Sequence, residues 1–278
     1  MPALVVNDLW WPFGAHLLHV KLRKMYAIVN GLKFYYKHNN YPVFPDGNVE
    51  YYFAPWSDNI DGETDFCTIQ QDIWTINFPV PPEYKNIEDF HSKTLAALYH
   101  PSANIKEYII NHPFLKKLVP DTYIAMHVRW TDKTAGPAAE TNMIDVSVYL
   151  DKCVQIRKET GIANLVICSD THDAIAKIEE LNKSDCYNFN LMYNADEVRS
   201  RNDPSDAFVQ KVDTLTLEER EHVYKECFIN METLIQSYAI VANFDSGFAL
   251  VAVQIRNKIG RDVNVQNRKA RWGLHQHF

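Results

Sequence analysis

The sequence predicts an α/β protein built on parallel sheets. Three observations carry that prediction. After Pro120, short apolar runs alternate with amphipathic helical stretches, the pattern of strands joined by crossover helices. The N-terminal residues follow the same order on a smaller scale. The chain has 278 residues, 46% of them apolar and 23% charged, which suits a globular protein of roughly two domains at about 150 residues each.

The elements follow in order. Ala3 to Val6 reads as a short buried strand, and a loop runs through Trp10, Trp11 and Pro12. Leu17, Leu18, Leu22, Met25, Ile28 and Val29 recur at helical spacing over 16–29. Gly31 sits where a helix would end in a left-handed residue. Residues 32–36 form the next strand. Residues 37–86 are rich in Asn, Asp, Pro and aromatics, with short strands expected at 49–53 and 74–78. Residues 87–119 read as two helical pieces broken near His100-Pro101. Beyond Pro120, strands are expected at 123–128, 164–168, 187–192 and 239–244. Helices are expected at 145–158, 173–181, 217–237 and 246–259. The domain boundary falls at Pro120, giving units of 1–119 and 120–278.

Composition excludes several classes. Asp plus Glu is 35 against 28 for Lys plus Arg, a net charge of −7, so a general nucleic-acid binder is not expected. No apolar run reaches the length of a membrane span, and the N-terminus lacks the basic start of a signal peptide. Five scattered cysteines with no C-x-x-C suit reduced thiols and a cytoplasmic setting. No glycine-rich phosphate loop occurs, so phosphate binding must rest largely on side chains. No D-x-D occurs either. The acidic run 57–65 fails as a calcium loop, because Ser57 and Thr68 stand where carboxylates are needed. His16 and His19, three residues apart on one helix, lack further ligands and read as a polar edge near a cleft. The C-terminal cluster of Arg256, Lys258, Arg261, Arg268, Lys269 and Arg271 reads first as a solvated face. A contact with an anionic ligand, or with a membrane surface bearing a lipid-linked glycan, is the alternative.

Ligands of open parallel sheets bind beyond the carboxyl ends of the strands. Arg129 through Lys133, Ser169-Asp170 and Asp245-Ser246-Gly247 each follow a predicted strand. Arg129 and Lys133 supply positive charge, and Asp132 and Asp170 supply acceptors. Ser246 opens a helix whose free N–H groups can meet an anion. The set suits a nucleoside diphosphate.

His127-Val128-Arg129-Trp130-Thr131-Asp132-Lys133 resembles the H-V-R-R-T-D-K motif of the α-1,6-fucosyltransferases. Residues 165–170 and 235–246 resemble that family's second and third motifs, in order. Residues 13–20 are similar to its G-F-G-S-Q-L-H-H segment, which puts Gly14 and His19 on the donor side. The resemblance implies a GT-B-like fold of two Rossmann-like domains facing a cleft, the N-terminal one on the acceptor side. It implies an inverting glycosyltransferase with GDP-fucose as donor, a glycan as acceptor and no metal or other cofactor. Arg129 falls on the arginine that grips the pyrophosphate, and Ser246 on the serine near the phosphate. His127, Asp132, Lys133, Asp170 and Asp245 fall on motif positions. Glu140, in a longer loop, is the implied base. Two departures stand out. Trp130 replaces a second arginine, and Asn230 stands where the family has a guanine-binding aspartate, with Glu232 two residues on. They leave open another nucleotide sugar, such as UDP-xylose or another GDP-sugar, and a binding module without catalysis. Acceptor, linkage and oligomeric state are not legible.

Overall fold

A computed structural model describes residues 2–7, 13–37, 49–58, 65–69, 72–130, 143–183, 186–197, 199, 215–258 and 260–266. Its first part is β1 (Ala3–Asn7), α1 (Phe13–Val29), β2 (Lys33–Lys37), β3 (Phe66–Cys67), α2 (Ile87–Leu98) and α3 (Ala103–Asn111). Its second part is β4 (Ile124–Val128), α4 (Val146–Thr160), β5 (Asn164–Ser169), α5 (His172–Asn182) and β6 (Asn190–Tyr193). It ends with α6 (Leu217–Gln236), β7 (Ala239–Ala242), α7 (Gly247–Arg256) and β8 (Val263–Asn264). Two all-parallel sheets result, ordered β2-β1-β3 and β6-β5-β4-β7-β8. The predicted α/β class is what forms.

Local chemistry sets the helix ends. Asn86 and Asp145 accept from Asp89 N and Ser147 N at 2.8 Å and so cap α2 and α4. Thr216 and Glu219 form a reciprocal capping box on α6. Gly161, at φ 76°, closes α4 in the left-handed conformation that glycine adopts without strain. Asn257 closes α7 at φ 47°, two residues before the expected end.

The inner strands of the five-stranded sheet, β4, β5 and β7, are buried on both faces. Ile124, Met126 and Val128 of β4 enter one apolar cluster with α4 and α5, and Ala125 enters another with α6 and α7. That is the period of two of a strand covered on both sides. The second cluster also takes Leu4, Val6, Phe34 and Tyr36 of the small sheet, so one core runs between the sheets. At its centre Phe13 lies 5.0–6.5 Å from the rings of Phe53, Tyr99, Tyr224, Phe228 and Phe248. Polar bonds cross the same seam: Tyr51, Tyr99 and Tyr108 donate to Glu221, Glu232 and Glu226 of α6.

Three expectations fail here. The strands expected at 49–53 and 74–78 are single 3-10 turns, Val49–Tyr51 and Ile73–Thr75. Tyr52 and Phe53 are core residues placed by that turn, and Asp72 caps the other by accepting from Trp74 N. The edge strands β3 and β8 were not expected; each has two residues, too few for periodicity. Arg256 is not on a solvated face. It is buried, paired with Asp262 at 3.1 Å, and donates to Ser237 O and Tyr238 O.

Candidate functional site

The site lies where β4 and β5 end. The ladder pairs Val128 with Ser169, so Arg129 and Asp170 leave the sheet side by side. Arg129 Nε is 3.9 Å from Asp170 Oδ2, and Asp170 Oδ1 accepts Trp130 N at 3.0 Å. The two side chains are 26% and 23% exposed, so a ligand can reach both. Trp130 packs its ring against the sheet core and donates Nε1–H to Ile144 O at 3.0 Å. The residue that costs the motif a cation thereby ties the end of β4 to Asp170 and Ile144. Asp132, Lys133 and Glu140 lie in the stretch 131–142, outside the described residues.

β7 pairs with β4 on its other side. After β7, Asn243 Oδ1 accepts Asp245 N at 3.0 Å and Asn243 O accepts Ser246 N, a tight turn that aims α7 at the strand ends. Asp245 is buried in the turn. The Ser246 side chain makes no capping bond to α7, so it does not itself satisfy the first-turn N–H groups. His127, the last but one residue of β4, stacks on Phe248 in that first turn, at 5.5 Å and 17°. Burial, then the Arg129 charge, pushes the His127 imidazole down to about 3, so it is neutral at physiological pH.

Gly14 brings a second helix start to the same place. A Cβ there would sit 2.6 Å from Phe248 Cα and N. Only a residue without a Cβ lets α1 and α7 meet this closely. Leu18 lies across from Gly247, where a Cβ would meet its Cδ1 at an ordinary 3.4 Å, and Lys21 reaches Gln254 at 2.8 Å, so the helices run parallel from adjoining N-termini. Their positive ends add.

His16 and His19 are not a polar edge beside the cleft. Both are buried in α1. His16 bonds Tyr36 at 2.7 Å, and His19 contacts Arg23 at 3.4 Å and the Trp74 ring at 4.6 Å. Desolvation, with neighbouring charge, holds His16 near 3 and His19 near 4. Among the described residues no three His, Cys, Asp or Glu side chains group as metal ligands.

Asn230 and Glu232 diverge, as two residues on a helix must. Glu232 accepts from Tyr99 across the seam at 2.9 Å and from Gln236 Nε2 at 3.1 Å. Asn230 turns instead to Glu197, at 2.5 Å. Sequence reasoning missed Glu197 and its partner Arg199, which bond at 2.6 Å. They follow β6, and the strand-end rule that found Arg129 and Asp170 reaches them when it is extended past the turn after that strand. Chemically, among the described residues the site brings the Arg129 guanidinium, the Asp170 carboxylate and the start of α7 to the ends of neighbouring strands.

No protein-family model and no curated protein matches the sequence. Among solved structures, the NodZ α-1,6-fucosyltransferase soaked with GDP-fucose superposes over 91% of this chain and 92% of its own, with a TM-score of 0.53 at 12% identity. The fucosyltransferase NodZ from Bradyrhizobium gives the same score over 90% and 91%. The chain has the NodZ fold. The expected two-sheet GT-B-like architecture is thus found, and at that identity the likeness to NodZ concerns fold alone. POFUT1 in complex with GDP-fucose aligns over 62% of this chain at a TM-score of 0.36. No helix among the described residues is long and apolar enough to cross a membrane.

Proposed function

We propose that this protein is a glycosyltransferase that moves a sugar from a nucleoside diphosphate to a glycan hydroxyl, with GDP-fucose as the donor. One observation carries the reading. Arg129 and Asp170 emerge side by side from the central strands, with β4 paired to the strand that leads into α7, in a fold shared over nine-tenths of its length with NodZ. The unit 120–278 is the donor domain and 1–119 the acceptor side. Breaking the glycosidic bond puts negative charge on the leaving diphosphate. Arg129, Lys133 and the α7 N–H groups stabilise that charge as it develops. A carboxylate, Glu140 by sequence position, takes the acceptor proton while the hydroxyl attacks in line and inverts the anomeric carbon.

The test is a thermal-shift panel of GDP, UDP, GDP-fucose and UDP-sugars. A ligand at about 100 times its Kd adds about 2.7 kcal/mol to stability, and GDP and GDP-fucose are expected to lead. A larger shift with UDP favours the second reading, another nucleotide sugar, for which Trp130 and Asn230 speak. A panel with no shift at all removes the donor site. Because fixed cations carry the diphosphate charge, transfer is expected to persist in excess EDTA. Activity lost in EDTA and restored by Mn²⁺ contradicts this.

A further inference from the structure

Glu197 and Arg199 are sunk into the protein, their side chains 10% and 1% exposed. Arg199 Nη2 meets Glu197 Oε2 at 2.6 Å, and Arg199 Nε donates to Ser169 O at 3.1 Å. Ser169 immediately precedes Asp170 and pairs with Val128 in the ladder. The other Glu197 oxygen accepts Asn230 Nδ2 at 2.5 Å. One carboxylate thus ties together the ends of β5 and β6 and the middle of α6. An ionised carboxylate only accepts hydrogen bonds, so the Asn230 amide must turn its NH2 group inward. Its Oδ1, on a half-buried residue, accepts no bond among the described residues.

We propose that Glu197 and Arg199 are positioning residues for the nucleotide site. They hold Asp170 where it meets Arg129, and they hold the Asn230 amide with its oxygen turned away from Glu197 to accept a ligand N–H. The identity of that ligand rests on the function proposed above; the positioning rests on the bonds just given.

Ionisation of Glu197 provides a readout that a merely structural role lacks. The groups facing it are Arg199, Asn230 and Glu226 of α6, and Asp170. The thiols of Cys168 and Cys227 also lie in reach, and burial pushes both up, so they stay neutral. Burial dominates at Glu197 and raises its carboxyl to about 7. Below that pH it protonates, its hold on Arg199 weakens, and the amide is free to turn.

The experiment measures the Kd of GDP calorimetrically from about pH 6 to about pH 8.5, in the wild type, Glu197→Gln, Glu197→Asp and Arg199→Lys, each checked for folding by circular dichroism. Glu197→Gln is expected to bind about tenfold more weakly at the alkaline end, the worth of one charge-assisted bond. It is expected to converge with the wild type at the acid end. The difference between the two profiles cancels the titration of the nucleotide's own phosphate. Glu197→Asp is expected to recover part of the step. Arg199→Lys keeps the charge but loses the fork, so it weakens binding at every pH and retains the step. If Glu197→Gln does not fold, the aspartate and lysine variants carry the comparison. A Glu197 variant that tracks the wild type or falls by one constant factor at all pH values, or an Arg199→Lys that tracks the wild type, overturns the assignment. A wild type that binds no nucleoside diphosphate overturns the proposed function, and this assignment with it.

Discussion

Arg129 concentrates the proposed chemistry in one side chain. Its planar fork holds two phosphate oxygens at once, which a lysine cannot copy. The contact strengthens as the leaving diphosphate gains charge, so its loss falls mainly on kcat. Arg129→Ala is expected to lower kcat about 100-fold or more and Arg129→Lys to recover part, with the fold intact because the side chain is a quarter exposed. A folded Arg129→Ala with near wild-type turnover would place the diphosphate elsewhere. Asn230 makes a second case. A carboxylate is the better partner for a base edge with two N–H donors, yet here it would stand 2.5 Å from Glu197. Two carboxylates that close share a proton. Asn230→Asp is therefore expected to weaken GDP binding at neutral pH, read as Kd, and tighter binding would contradict the pairing. The amide is what a buried glutamate beside it allows.

Among the elements, α1 departs furthest from an ordinary amphipathic helix. Burial covers Leu17, Leu18, Leu22 and Met25 as expected, but also Phe13, His16, His19 and Lys21. Lys21 is fully buried, it donates to the neutral Gln254 at 2.8 Å, and desolvation lowers its amine to about 7. The sign follows from linkage. The unfolded amine, near 10.5, binds its proton between about pH 7 and 10.5 while the folded one does not. Stability therefore gains with pH across that window, by up to about 1.4 kcal/mol per unit. Lys21→Met is expected to be more stable at neutral pH and to lose that slope, measured by urea unfolding at several pH values. Parallel slopes for the two proteins would refute it. The same helix marks the limit of what the sequence makes legible. Spacing finds α1, and it finds the buried strands β4, β5 and β7, because each carries an unbroken apolar signal. It cannot tell that His16, His19 and Lys21 meet Tyr36, Trp74 and Gln254, since those contacts join residues far apart in the chain. The strand-end rule finds Arg129, Asp170 and Ser246. Glu197 escapes because it stands beyond the turn that follows β6, not directly at the strand's end as Arg129 and Asp170 do. Residues 49–78 are misread because their aromatics serve the core from turns.

At the scale of the whole molecule, the contact of Gly14 with Phe248 is a tight joint between the two sheets' layers. A methyl group there meets backbone at 2.6 Å on the opposite helix, and backbone cannot rotate aside. Gly14→Ala is expected to force α1 and α7 apart, costing about 1–3 kcal/mol and weakening GDP binding as the two helix starts separate. Denaturant unfolding and calorimetry check the two effects, and an unchanged pair of values would show that the joint yields. The order of the large sheet, β6-β5-β4-β7-β8, carries a different consequence. β4 is its centre, every residue of it buried, yet the ladder that pairs Ile124 with Ala239 closes only after the whole of α4 to α6 has been made. At roughly 5–20 residues per second, a ribosome takes on the order of ten seconds to deliver β7 after β4 has emerged. Throughout that interval an apolar strand stands with one edge open, and what shields it in the cell must be something other than its final neighbour.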